Sequence, residues 1–178
     1  MDWYSLFVTT EKEEYVSKWL KFYFSDQEML VLIPKRKLIE RRQGKRQLVL
    51  KKLFPGYVLL KTEMDFKKYY TLKKVPHLIK IVHSGEYFTK IPEREMSLLI
   101  QLMDQKGIVD FSKVYLTDSK IVIKSGPLVG MEGLIKAVDR RKMRIKIIVH
   151  FMGLAREIDV GIEMFDLNSV NDVERSII

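Results

Sequence analysis

The chain has 178 residues, 47% of them apolar, and a formal net charge of +9 with a pI near 9.6. That is enough for one medium or two small packed domains and too apolar for a disordered protein. It has no cysteine, which excludes disulfides, thiolate metal sites and cysteine nucleophiles and fits a reducing compartment.

No apolar run approaches the ~18 residues that a bilayer crossing needs. The start, Met1-Asp2-Trp3-Tyr4, lacks the basic and apolar regions of a secretory signal, so a cytoplasmic, membrane-free protein is expected. The basic balance favours a polyanionic partner, nucleic acid first, over mere solubility.

Aromatic and β-branched residues at 3–9 predict a strand. Thr10-Glu11-Lys12-Glu13 has the form of a capping box, in which the Thr10 hydroxyl accepts from the Glu13 amide while Glu13 reaches back. The helix after it sets Tyr15, Val16, Trp19, Leu20 and Tyr23 on one face. A short apolar strand at 29–33 ends at Pro34. Residues 35–52 carry nine cations (Lys35, Arg36, Lys37, Arg41, Arg42, Lys45, Arg46, Lys51 and Lys52) against one acid, Glu40. With Gly44 mid-stretch, they read as a basic β-hairpin arm turning at Gln43-Gly44.

Residues 54–62 return to the sheet, 65–74 form a short helix and 78–83 a strand. Pro92 suits the first turn of a helix that carries Met96, Leu99, Ile100 and Met103 at helical spacing. The order β-α-β-β-β-α-β-α predicts an antiparallel sheet backed by helices over residues 1–104. Residues 105–118 show no sustained period and read as a linker. From 119 to 178 the pattern is strands only, at 121–124, 130–138, 142–150, 154–160 and 164–167, with Gly126, Gly130, Gly133, Gly153 and Gly161 at or beside the turns. Five short strands predict a small closed all-β, SH3-like barrel, making the whole chain α+β.

Enzyme chemistry finds little support. The histidines His77, His83 and His150 show no ligand spacing, and with no cysteine a metal site would need carboxylates around them. There is no G-x-x-x-x-G-K-[ST] loop and no G-x-S-x-G elbow. The acids are scattered among lysines, so no catalytic residues, metal or cofactor are expected.

Binding surfaces are better represented. The arm, through Arg41, Arg42, Lys45 and Arg46, can track phosphates by displacing counterions; equally, its charge can block edge-to-edge aggregation. In the barrel, strand period two puts Met143, Ile145, Ile147 and Val149 on the core face and Lys142, Arg144 and Lys146 on the outer one. Arg140 and Arg141 lie in the preceding turn and Lys136 on the neighbouring strand. These six cations favour nucleic acid over a merely solvated face, because arginines fork to phosphates and stack on unpaired bases. Tyr57 and Leu59 alternate with Val58 and Leu60, and Ile81 is on another strand of that sheet. An outward apolar pair there marks a protein interface, whereas burial is the commoner fate of each residue.

At Phe54-Pro55-Gly56-Tyr57, and again at Ile123-Lys124-Ser125-Gly126-Pro127-Leu128-Val129-Gly130-Met131-Glu132-Gly133, the chain resembles the NusG family of transcription elongation factors. Trp3-Tyr4 and Val75-Pro76-His77-Leu78 extend the likeness over the first domain; the second run resembles the family's KOW motif, and Phe151-Met152-Gly153 its later apolar-glycine turn. The resemblance implies a monomer that docks on the clamp helices of RNA polymerase and suppresses pausing. Tyr57, Leu59 and Ile81 fall where the family's clamp-binding patch lies. Tyr69, Tyr70 and Thr71 fall near the segment that meets the opposite lobe and the non-template DNA strand.

Departures point to a specialised paralog. Ser125-Gly126-Pro127-Leu128 stands for the usual Asp-Gly-Pro-Phe, and Ala155-Arg156-Glu157-Ile158-Asp159-Val160 for a Thr-Pro-Val-Glu-Leu run. The chain is similar to the LoaP or RfaH type, and the basic face favours LoaP, which implies recognition of a nascent RNA hairpin. The β-branched runs at 121–123 and 145–149 predict a constitutive barrel, not a refolding helical hairpin. Two further readings stay open: a general factor coupling polymerase to the ribosome or a termination factor, and a ribosome-associated KOW protein.

Overall fold

The computed structural model describes residues 1–81, 83–84, 87–116 and 121–165. In chain order the elements are β1 (Asp2–Val8), α1 (Glu13–Tyr23), β2 (Met29–Leu32), β3 (Lys35–Arg42), β4 (Lys45–Lys52), β5 (Tyr57–Thr62), α2 (Phe66–Leu72), β6 (Leu78–Ile81), β7 (His83–Ser84), β8 (Tyr87–Phe88), α3 (Glu93–Leu102), β9 (Ile108–Val109), β10 (Ser112–Leu116), β11 (Ile121–Ser125), a 3-10 turn at Glu132–Leu134, β12 (Ile135–Asp139), β13 (Arg144–Phe151) and β14 (Leu154–Phe165). They form two compact units. Unit 1 comprises Met1–Lys35, Lys52–Ile100 and His150–Leu154; unit 2 comprises Arg36–Lys51, Gln101–Val149 and the chain from Ala155 on. The expected boundaries, a first domain at 1–104 and a second from 119, differ from this division: the arm falls in unit 2 and the turn at 150–154 in unit 1.

Unit 1 is built on the sheet β2-β5-β1-β6. Its antiparallel registers pair Tyr4 with Leu60, and Leu6 with both Val58 and Ile81, so these residues share one face. Val16 and Leu20 of α1, with Leu72 at the end of α2 and Val75 in the turn after it, pack into the same cluster. Each such aliphatic side chain contributes roughly 1.5–3 kcal/mol by leaving water. Trp19 packs against that cluster from the same face, but the two tyrosines of the expected α1 stripe do not follow, for Tyr15 is 50% and Tyr23 54% exposed. In α3, Met96, Leu99 and Leu102 are buried while Ile100 stays 48% exposed, so the buried stripe is rotated from the expected one.

The capping box does not form. Lys12 occupies the N-cap with no side-chain bond. Glu13 is fully buried; its Oε1 accepts from the Gly56 amide at 2.6 Å, and its Oε2 lies 2.8 Å from Lys52 Nζ. A buried carboxylate left unpaired costs several kcal/mol, so it takes the cation and the turn amide that neutralise it rather than the first turn of its own helix.

Unit 2 holds two sheets, β4-β3-β9 and β11-β10-β14-β13-β12. The arm is the hairpin expected, its tip carrying positive φ at both Gln43 (50°) and Gly44 (78°), the geometry of a tight two-residue turn. The stretch expected to be a linker holds two strands within its described residues, 105–116: β9 completes the arm's sheet, and β10 runs parallel to β14 within the larger one; residues 117–118 lie outside the described residues. It escapes a periodicity search because β9 has two residues and β10 buries a serine, Ser112, alongside Val114. Asp104 turns the chain into β9 by accepting from the amides of Lys106 and Ile108 at 2.8 and 2.9 Å.

Three expected strand boundaries also move. Residues 130–138 divide into the 3-10 turn and β12, residues 142–143 belong to a turn, and 154–160 joins 164–165 as one strand; residues 166–167 lie outside the described residues. Throughout 121–165 the regular structure is strand apart from the 3-10 turn. Gly126, at φ 100°, is sterically required, because an added Cβ would sit 2.6 Å from both the Phe111 carbonyl oxygen and Ser112 Cα.

Candidate nucleic-acid and protein interfaces

The proposed polymerase residues do not share a face. Ile81 pairs with Leu6 and is buried in the helix-side cluster. Tyr57 and Leu59 pair with Phe7 and Ser5, on the opposite face. The β6 residue aligned with Phe7 is Lys80. Leu59 is itself fully buried, and Tyr57 half-buried. The Tyr57 ring lies 5.2 Å from Phe7 and edge-on to Phe151 at 5.4 Å. Phe151 stacks on Phe54 at 4.0 Å and 8°, and the Gly153 amide donates to Glu95 Oε1 at 3.2 Å. The two motifs noted separately in the sequence, Phe54-Pro55-Gly56 and Phe151-Met152-Gly153, thus meet in unit 1. Their aromatic residues were the only signal of it.

On α2, Asp65 caps the first turn by accepting from the Lys68 amide at 2.7 Å. Tyr70 is 61% exposed, Tyr69 packs against the core cluster, and the Thr71 hydroxyl donates to the Lys67 carbonyl at 3.0 Å. Lys73 Nζ stands 4.7 Å over the Tyr69 ring, a cation–π contact. Of the three expected residues here, Tyr70 is the one freely presented.

The six barrel cations divide sharply. Lys136 and Lys146 both bind Glu157, the latter at 3.1 Å. Those hydrogen bonds, from Lys136 first and then Lys146, pull the Glu157 carboxyl below its usual range, and Lys146 is raised in return. Arg144 is not an outer-face residue. Its side chain is 17% exposed; it lies 3.8 Å from Glu40 and 3.6 Å from Asp159 and donates to the Ile39 carbonyl at 3.3 Å. Strand parity placed it outside, but the hairpin of residues 36–51 covers it.

Arg140 and Arg141 are exposed and make no ion pair among the described residues. Lys142 reaches Asp139 only at 3.7 Å. Its amide donates to Asp139 Oδ1 at 2.9 Å, which together with Met143 at φ 55° shapes the turn; that amide bond is the main cause holding the Asp139 carboxyl below its usual value.

The arm's cations lie close by. Arg41 donates from Nε to the Gly44 carbonyl at 3.2 Å, and Arg42 meets Glu40 at 3.5 Å. Lys45 and Arg46 are exposed. Within unit 2, a cavity of about 570 Å³ is lined by Ile39, Glu40, Arg41, Arg46, Arg141, Lys142, Met143 and Arg144. Among the described residues no group of three or more histidines and carboxylates could hold a metal, and no helix is long and apolar enough to cross a membrane.

A family profile described as "Transcription termination factor nusG" matches residues 1–100. The chain is similar to the transcription termination/antitermination protein NusG of Haemophilus influenzae, 27% identical over 165 residues and covering 89% of each chain. It is similar also to that of Rickettsia prowazekii, 26% identical over 151 residues, covering 84% of this chain and 79% of the relative. The fold is shared with a solved structure described as "Domain interaction in Thermotoga maritima NusG", at TM-score 0.52 and 22% identity, covering 90% of this chain and 93% of the other.

Proposed function

The chain belongs to the NusG family, and from that premise we propose that it is a non-catalytic elongation and antitermination factor, binding RNA polymerase through its first hundred residues and nascent RNA through unit 2. The observation that carries the RNA half is the uneven neutralisation of unit 2. Its Lys136 and Lys146 are matched by Glu157, while Arg140, Arg141 and Arg46 are exposed and form no salt bridge among the described residues, Arg141 being attracted to Asp139 only at longer range. Unmatched guanidinium groups bind phosphate oxygens in pairs and stack on unpaired bases.

Polymerase contact is assigned to Tyr57 and to exposed Tyr70, with Tyr69 and Thr71 setting the α2 surface. Leu59 and Ile81 support that surface from within, since both are buried. The basic cavity supports a specialised, LoaP-like role. It is tested by readthrough of an intrinsic terminator in purified transcription, with and without a leader hairpin upstream. The factor raises readthrough when the hairpin is present, and Tyr57→Asp abolishes the gain; equal readthrough by that variant removes the docking role.

A second reading has its own support. Likeness to termination/antitermination NusG proteins spans 89% of the chain, which favours a general factor whose unit 2 binds a ribosomal or termination protein. Hairpin-independent readthrough, with capture of such a protein by unit 2, decides for it.

A further inference from the structure

We propose that one RNA-backbone site is built jointly by the arm and the β12–β13 turn, in the groove where Arg41 and Arg46 face Arg141 and Lys142. This rests on the reading that unit 2 binds RNA and says where and how. The two walls come from distant parts of the chain, and Arg144 joins them: it donates to the Ile39 carbonyl 105 positions away and reaches Asp159 on β14. Lys37 ties the arm's base by a 2.6 Å bond to Asp110. Arg144 is therefore a positioning residue, its guanidinium consumed in holding the walls together.

The charge of the groove is unbalanced. The one acid among its lining residues, Glu40, already meets Lys51 at 3.3 Å, Arg42 at 3.5 Å and Arg144 at 3.8 Å. Of the four other cations around this cavity of about 570 Å³, a volume usual for small-ligand sites, Lys142 meets Asp139 only at 3.7 Å, and Arg41, Arg46 and Arg141 form no salt bridge among the described residues. Held this close, they repel one another and keep counterions, and a phosphodiester chain releases those ions on binding. Both rims are formed in advance, the arm by its tight turn and the other by the Asp139–Lys142 bond, so little ordering is lost on association. Glu40 also decides the sugar: a carboxylate accepts from a 2′-hydroxyl, which DNA lacks.

The test uses the full chain and a fluorescein-labelled RNA stem-loop of about twenty nucleotides, with single-stranded and duplex DNA of the same sequence, read by anisotropy across a potassium chloride series. Arg46→Ala and Arg141→Ala are each expected to weaken RNA binding roughly five- to tenfold and to lower the salt slope by about one. The double variant loses less than the product of the two, as partners in one site do. Lys136→Ala with Lys146→Ala loses less than either single variant, and Lys18→Ala on α1 changes nothing. Arg141→Ala weakening RNA while Arg46→Ala does not excludes the arm and leaves RNA binding by unit 2 standing. A larger loss on changing Lys136 and Lys146 moves the site to the other face, and equal affinity for DNA overturns the role of Glu40. Absence of RNA binding by the unaltered chain defeats the functional reading itself.

Discussion

The two glycine turns that first marked this chain are held by different forces. At Gly126 the constraint is steric: backbone atoms of Phe111 and Ser112 occupy the space a side chain needs, and the Ser112 hydroxyl accepts from the Leu128 amide at 3.1 Å. At Gly56 the nearest atom to an added Cβ is a Phe7 ring carbon at 3.2 Å, which can yield. What fixes that turn is the buried Glu13 carboxylate on its amide. Two motifs of the same appearance thus differ in what holds them, space and φ at Gly126 but a backbone bond and a φ of 82° at Gly56, and they fail under different perturbations.

The largest effect is expected at the steric turn. Gly126→Ala forces both an unfavourable φ and a backbone overlap, and destabilises unit 2 by about 4 kcal/mol. Both tryptophans, Trp3 and Trp19, lie in unit 1, so urea unfolding followed by circular dichroism shifts ahead of tryptophan fluorescence; coincident, unshifted curves break the contrast. Next comes Glu13→Gln, which leaves Lys52 with Glu11 alone, 2.9 Å away, and costs about 3 kcal/mol in unit 1 by fluorescence.

Acid sharpens that comparison. Burial by itself would raise the Glu13 carboxyl, but the bonds from Lys52 and Gly56 outweigh it and hold it below its usual range. Its stabilisation is therefore complete above the ordinary carboxylate range and disappears as pH falls through the lowered folded value. The gap in unfolding midpoint between the native chain and Glu13→Gln closes in acid, whereas a Gly126→Ala deficit does not depend on this group. Smallest is Gly56→Ala, about 2 kcal/mol, chiefly from the left-handed φ of 82°; a deficit matching that of Gly126→Ala makes both turns steric.

Much of the fold was legible because it follows strong local rules. The arm's turn at Gln43-Gly44, the strands at both ends of unit 1 and the glycine of the second motif all obey turn chemistry or period two. What failed were features fixed at a distance. Glu13 read as a local cap, because nothing near it in sequence reveals Lys52 or Gly56. Ile81 was grouped with Tyr57 although the register, with a bulge between Phe7 and Val8, puts it on the other face. Arg144 satisfied strand parity for an outward cation, yet the hairpin lies over it. Residues 105–116 lacked period since their strands are short and a buried position of β10, Ser112, is polar. Counting cations located the basic region, but only the placement of Glu157 and Glu40 told which charges remain available.

The stacking of Phe151 on Phe54, with its ring edge against Tyr57, has a thermodynamic corollary. Side chains in contact do not contribute to stability additively. A change at Phe151 therefore alters what a change at Tyr57 or Phe54 costs the fold, although they lie far apart in sequence.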